Sequence, residues 1–146
     1  MFLCSLVTPV SAARRPLTRL ELVELCVSKL QNRFIDEVEA IRCGLLAPYP
    51  DGRMHLDWPA TRGVAAGVLA RLTLTLGLPA RPAPFSDVDT TSPLAPHLAQ
   101  VGALFPALEE GRFRAEQLAY REDLEQMIES LRTFPEAASP TPRTFR

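Results

Sequence analysis

A chain of 146 residues, 47% of them hydrophobic, can bury one core, and a net charge of −1 excludes both a polybasic nucleic-acid surface and an acidic tail as its organising feature. One domain is expected. Lys29 is the only lysine beside many arginines, and prolines number 14, a bias that reads as GC-rich coding rather than as a binding surface.

Residues 1–12, MFLCSLVTPVSA, are apolar and end in Val10-Ser11-Ala12, a small-x-small pattern that suits cleavage after Ala12. They lack a basic leader and are too short to span a bilayer, so they read as a truncated signal peptide or as an apolar arm packed on the domain. Cys4 follows the bulky Leu3 and is a poor lipid-attachment site. The first helix is predicted from Thr18 to about Leu30, with Leu22, Leu25, Cys26 and Leu30 on one face. Thr18 and Glu21 form a capping box, which gives Glu21 a structural reading beside any contact with ligand. A second helix is expected from about Ile35 to Cys43, with Phe34, Ile35, Val38 and Ile41 facing inward and Asp36, Glu37 and Glu39 facing water. Cys26 and Cys43 fall at apolar helical positions, as a disulfide pair or as buried free thiols.

Gly44 closes that helix, Pro48, Pro50 and Asp51-Gly52 turn the chain, and Thr61 starts a third helix to about Leu76. Its stripe is Val64, Val68, Leu69 and Leu72. Residues 78–84 form a proline-rich, exposed spacer. A polar turn from Asp87 to Ser92 is expected to cap a helix from about Pro93 to Val101, with Leu94, Leu98 and Val101 inward. Asp87 and Asp89 lack the further oxygen ligands of a calcium loop. The last helix is predicted from Tyr120 to about Thr133 with Leu124, Met127, Ile128 and Leu131 inward, stopped by Pro135 and followed by a disordered tail, 135–146.

Certain residues recur. Gly44-Leu45-Leu46, Asp51-Gly52, Met54 and Thr61-Arg62 follow one another in a single unit. Thr18-Arg19-Leu20-Glu21 repeats the helix start upstream; Phe85-Ser86-Asp87-Val88, Gly102-Ala103-Leu104, Gly111-Arg112-Phe113 and Tyr120-Arg121-Glu122-Asp123 repeat the series downstream. This order resembles the S-layer homology (SLH) family, whose repeats open on F-x-D-V, pass through a DG turn and end in a T-R-A-E helix start. The resemblance implies an all-α fold with pseudo-threefold helix-loop-helix repeats around a central three-helix bundle. It divides residues 13–134 into the end of a first repeat (13–32), a second repeat (33–77) and a third (85–134).

For function, the resemblance implies an exported, non-catalytic cell-envelope module that binds anionic cell-wall polysaccharide or a peptidoglycan-linked glycan. The alternative is a structural module with a protein partner in the envelope. Independently of family, Arg19, Arg62 and Arg121 each follow a helix cap, where free amides and a guanidinium together suit an anion. With Glu21, Asp123, Asp51 and Trp58 they are the expected ligand-binding residues. The sequence offers no phosphate loop, catalytic dyad or triad, and neither a metal site nor a cofactor is expected, His55 and His97 being isolated.

Overall fold

The computed structural model describes residues 14–106 and 108–138. The expected cleavage after Ala12 and the tail beyond residue 138 lie outside the described residues. The chain is all-α, as expected: α1 is Arg19–Gln31, α2 Glu37–Arg42, α3 Arg62–Thr75, α4 Ala95–Val101 and α5 Arg121–Ala138, with single 3₁₀ turns at Gly102–Leu104 and Glu109–Gly111. None of the described helices is long and apolar enough to cross a membrane. The last helix continues past Pro135, where a stop was expected. Pro135 has no amide hydrogen to give to the Leu131 carbonyl, so the helix runs through it with one intrahelical bond missing.

Caps define the starts of the main helices. Thr18 Oγ1 accepts from Glu21 N at 3.1 Å while Glu21 Oε1 accepts from Thr18 N at 3.0 Å, completing the capping box. Thr61 Oγ1 accepts from Val64 N at 3.3 Å. α3 packs against both α1 and α4, and α1 also packs against α2 and α5. The predicted stripe Leu124, Met127, Ile128 and Leu131 is buried in one core with Leu22, Leu25, Val68 and Leu72.

Three short segments leading into α1, α3 and α5 close on one another. Leu17 N donates to Ala119 O at 3.1 Å, Ala119 N to Ala60 O at 2.9 Å, and Ala60 N to Leu17 O at 2.7 Å. The three bonds form a complete circuit. Two residues further on, the first amide of each helix donates to a neighbouring segment: Arg19 N to Trp58 O, Arg62 N to Gln117 O and Arg121 N to Arg15 O, at 2.9, 2.8 and 3.1 Å. Helix N-termini carry amides without intrahelical partners, and here the ring satisfies one in each helix.

Several sequence expectations are corrected. In α2 only Ile35, just before the helix, and Ala40 are buried, and Phe34 is 91% exposed with Val38 and Ile41 also outward. The small Ala40 brings this one-and-a-half-turn helix close to the core, and at 100° per residue Val38 lies about 160° round from it. Cys26 and Cys43 are both free; Cys26 is buried, its thiol pushed up to about 12 by burial, whereas Cys43 is exposed. The 78–84 spacer is anchored rather than exposed throughout. Arg81 is buried and its backbone bonds Gln100 O and Ala103 N, with Gly102 close against Ala83 N, where a Cβ would sit 3.0 Å from it. Asp87 does not cap α4. Its carboxylate accepts from Phe113 N and Arg114 N at 2.8 and 2.9 Å, and Ser92 Oγ instead takes the Leu94 amide.

Candidate functional site

The loops before α3 and α5 share three backbone hydrogen bonds at matching positions. Tyr49 N donates to Arg53 O and Gly52 N to Tyr49 O; Leu108 N donates to Arg112 O and Gly111 N to Leu108 O. Trp58 N donates to His55 O as Gln117 N does to Arg114 O. Gly52 and Gly111 take φ of 83° and 68°, the left-handed conformation that glycine adopts without a Cβ penalty. His55 and Arg114, each three residues on, share that region at 47° and 56° despite their side chains. A constant offset of 59 residues relates the two loops, so each role in one can be compared with its counterpart in the other.

Each loop is tied to a helix start by an arginine. Arg19 Nε donates to Met54 O at 3.0 Å and Nη2 to Ala47 O at 2.7 Å, with the guanidinium 4.5 Å from the Tyr49 ring centre. Arg62 repeats this: Nε to Phe113 O at 2.7 Å, Nη2 to Pro106 O at 3.0 Å, and the guanidinium against Phe105 and Phe113. Arg19 is 2% and Arg62 7% exposed, which corrects the expectation that both lie open along a surface groove. Burial lowers the Arg62 pKa, while Asp123 and Asp87 act in the opposite sense. Such charge-assisted bonds to carbonyls make each of these arginines a clamp that fixes the loop's shape.

The remaining expected residues separate. Arg121 is half-exposed, with Nε 3.4 Å from Glu125 Oε2. Asp123 accepts from Arg14 Nη2 at 2.6 Å, and Arg14 also lies over the Tyr120 ring. Glu21, engaged in its cap, stands on the rim between two surface grooves. Asp51 and Trp58 do meet, in the loop clamped by Arg19. There His55 stacks on Trp58 with ring centres 3.7 Å apart and planes 16° apart, and Tyr49 meets Trp58 edge-on at 4.9 Å. Asp51 Oδ2 lies 2.6 Å from His55 Nε2, and Oδ1 accepts from Arg53 N at 2.9 Å. The Arg53 amide and then His55 hold the Asp51 carboxyl below the usual carboxylate range.

This cluster adjoins an open groove of about 690 Å³ between α1, α2 and the loop. Glu21, Glu24 and Glu37 line it together with Ile41, Arg53 and His55. Trp58, 44% exposed, offers an aromatic surface beside it, backed by His55 so that the indole is held in place. Tyr49, His55 and Arg53 were not singled out from the sequence. Their signal was the placement of three ring-bearing residues, Tyr49, His55 and Trp58, on either side of one Asp-Gly turn. The second loop has Leu108, Arg114 and Gln117 at the matching positions, so the platform occurs once.

Among the described residues, no group of three His, Cys, Asp or Glu side chains is placed to hold a metal ion. Compared with known proteins, the chain matches no family model, no curated protein and no solved structure.

Proposed function

We propose that this chain is a non-catalytic module of the cell envelope, built on SLH-like pseudo-threefold repeats, that binds an acidic cell-wall polysaccharide in the groove beside Trp58. The observation that carries this reading is the exposed Trp58 indole stacked on His55, which itself lines that groove. A sugar ring stacks its C–H face on an aromatic surface, and hydroxyls then need acceptors around the rim. Glu21 and Glu24 of α1 and Glu37 of α2 supply those acceptors, and Arg53 of the loop offers an acidic substituent a cation. Arg19 serves the site indirectly by clamping the loop. The recurring ring of segments and the paired arginine clamps support the repeat architecture that the sequence resemblance implies.

A second reading, a structural or protein-interaction module, is favoured by one observation: the other loop keeps its clamp at Arg62 but carries no aromatic platform. Co-sedimentation with cell-wall polysaccharide tests the choice. Wild type should pellet with the wall, Trp58→Ala should fail to, and Arg53→Ala should bind more weakly, with the difference narrowing as salt rises. Wild type remaining in the supernatant would favour the interaction module.

A further inference from the structure

α2 turns a small apolar face away from the molecule, and the charges around that face are sorted by sign. Val38 is 59% and Ile41 44% exposed, and Phe34, just ahead of the helix, is more exposed still. At 100° per residue Val38 and Ile41 lie about 60° apart, with Glu37 about 40° beyond Ile41 on one flank and Arg42 about 40° beyond Val38 on the other. Both charged side chains are exposed, and neither makes an ion pair among the described residues. The other charges between residues 33 and 42 are in use: Asp36 accepts from the Glu39 amide at 2.9 Å, and Glu39 pairs with Arg33 at 3.0 Å. An acid and a base are therefore left over, five residues apart, bracketing an uncovered apolar pair.

We propose that this face is the contact between two copies of the chain, with their α2 helices side by side and parallel about a two-fold axis. A two-fold along the helices sets opposite flanks against each other, so Glu37 of each copy meets Arg42 of the other while Val38 and Ile41 pack between them. The antiparallel arrangement would instead bring like flanks together, Glu37 against Glu37 and Arg42 against Arg42. Charge thus selects a second copy as the occupant, because the face supplies both halves of each ion pair itself and a partner of one sign could not satisfy both flanks. The ion pairs, being exposed, fix the orientation, and the apolar side chains carry the affinity. A six-residue helix, about 9 Å long, covers less than the roughly 800 Å² per partner of a standard interface, so the association is weak and depends on concentration. Glu37 and Ile41 also line the groove beside Trp58, but the pairing is tested without any saccharide, so its failure and that of the binding proposal are separate results.

Sedimentation equilibrium of the full chain tests it. Wild type should pass from monomer to dimer as its concentration rises, and the dimer should weaken with added salt. Val38→Ser, Glu37→Arg and Arg42→Glu should each weaken association by about tenfold or more while leaving the circular dichroism melt unchanged, since all three positions are exposed. Mixing the Glu37→Arg and Arg42→Glu proteins should restore association, because every ion pair of the mixed dimer again joins opposite charges. The double variant in one chain should restore it for the same reason. Wild type that stays monomeric at every concentration would overturn the proposal and leave the face to a different protein or to another segment of this chain. A dimer indifferent to Val38→Ser would overturn it by placing the contact elsewhere. So would a mixture or a double variant that associates no better than the single variants, because the parallel ion pairs would then be absent.

Discussion

At the residue scale, an arginine's place in the sequence and its use in the fold part company. A guanidinium after a helix cap looked suited to an anion, but in two of three copies a loop's carbonyls have taken that place. Replacing Arg62 with Met would leave Phe113 O and Pro106 O without their donor, and denaturant unfolding should show a loss of about 2 to 4 kcal/mol. Arg53→Ala, at an exposed position, should change stability by less than about 0.5 kcal/mol. His97 provides a pH signature. Burial first, and then the charge of Arg71, lower its pKa, so the unfolded chain takes up the proton before the folded one does. Its contribution is therefore complete above the ordinary histidine value of about 6.5 and declines as pH falls from there toward the folded-state pKa. Thermal unfolding between pH 7 and 5 should show this slope, and His97→Gln should flatten it.

At the element scale, strong periodicity was legible and short elements were not. α1, α3 and α5 have apolar stripes over three or more turns, and their inward faces, with the caps of α1 and α3, follow from spacing alone. Leu124→Ala should accordingly cost about 2 to 5 kcal/mol, read from denaturant midpoints. α2 has only six residues, too few for a stripe to settle which way it faces, and there Val38 and Ile41 turned outward. Asp87 shows the limit of local reading, since its partners are the amides of Phe113 and Arg114, 26 and 27 residues away. Burial alone would raise its carboxyl pKa, but the two amide donors outweigh that and hold it below the usual range. Its folded pKa being lowered, its contribution is present above the unfolded value and is lost as pH falls through the folded one. Asp87→Ala should cost about 1 to 2 kcal/mol near neutral pH and progressively less in acid, measured by urea unfolding across pH.

At the scale of the whole molecule, the recurrences Thr18-Arg19, Thr61-Arg62 and Tyr120-Arg121 marked the three segments that the structure joins in a circuit of backbone bonds. The circuit itself was not legible, because a closed set of bonds between segments far apart in sequence leaves no local pattern. The site was half legible. Asp51 and Trp58 belong to one loop and do converge, whereas Arg62, Arg121 and Asp123 serve other parts of the ring. His55 was passed over as isolated because its partners are created by the turn at Gly52. The proposed function therefore depends on one loop and one exposed indole. The most direct test is co-sedimentation of wild type, Trp58→Ala and Trp58→Phe with purified wall polysaccharide, each shown to be folded by its circular dichroism melt. Binding by wild type, weaker binding by the phenylalanine variant and a loss of at least about tenfold in the alanine variant is the predicted result. Equal binding by all three folded proteins would contradict the assignment of the Trp58 groove as the saccharide site.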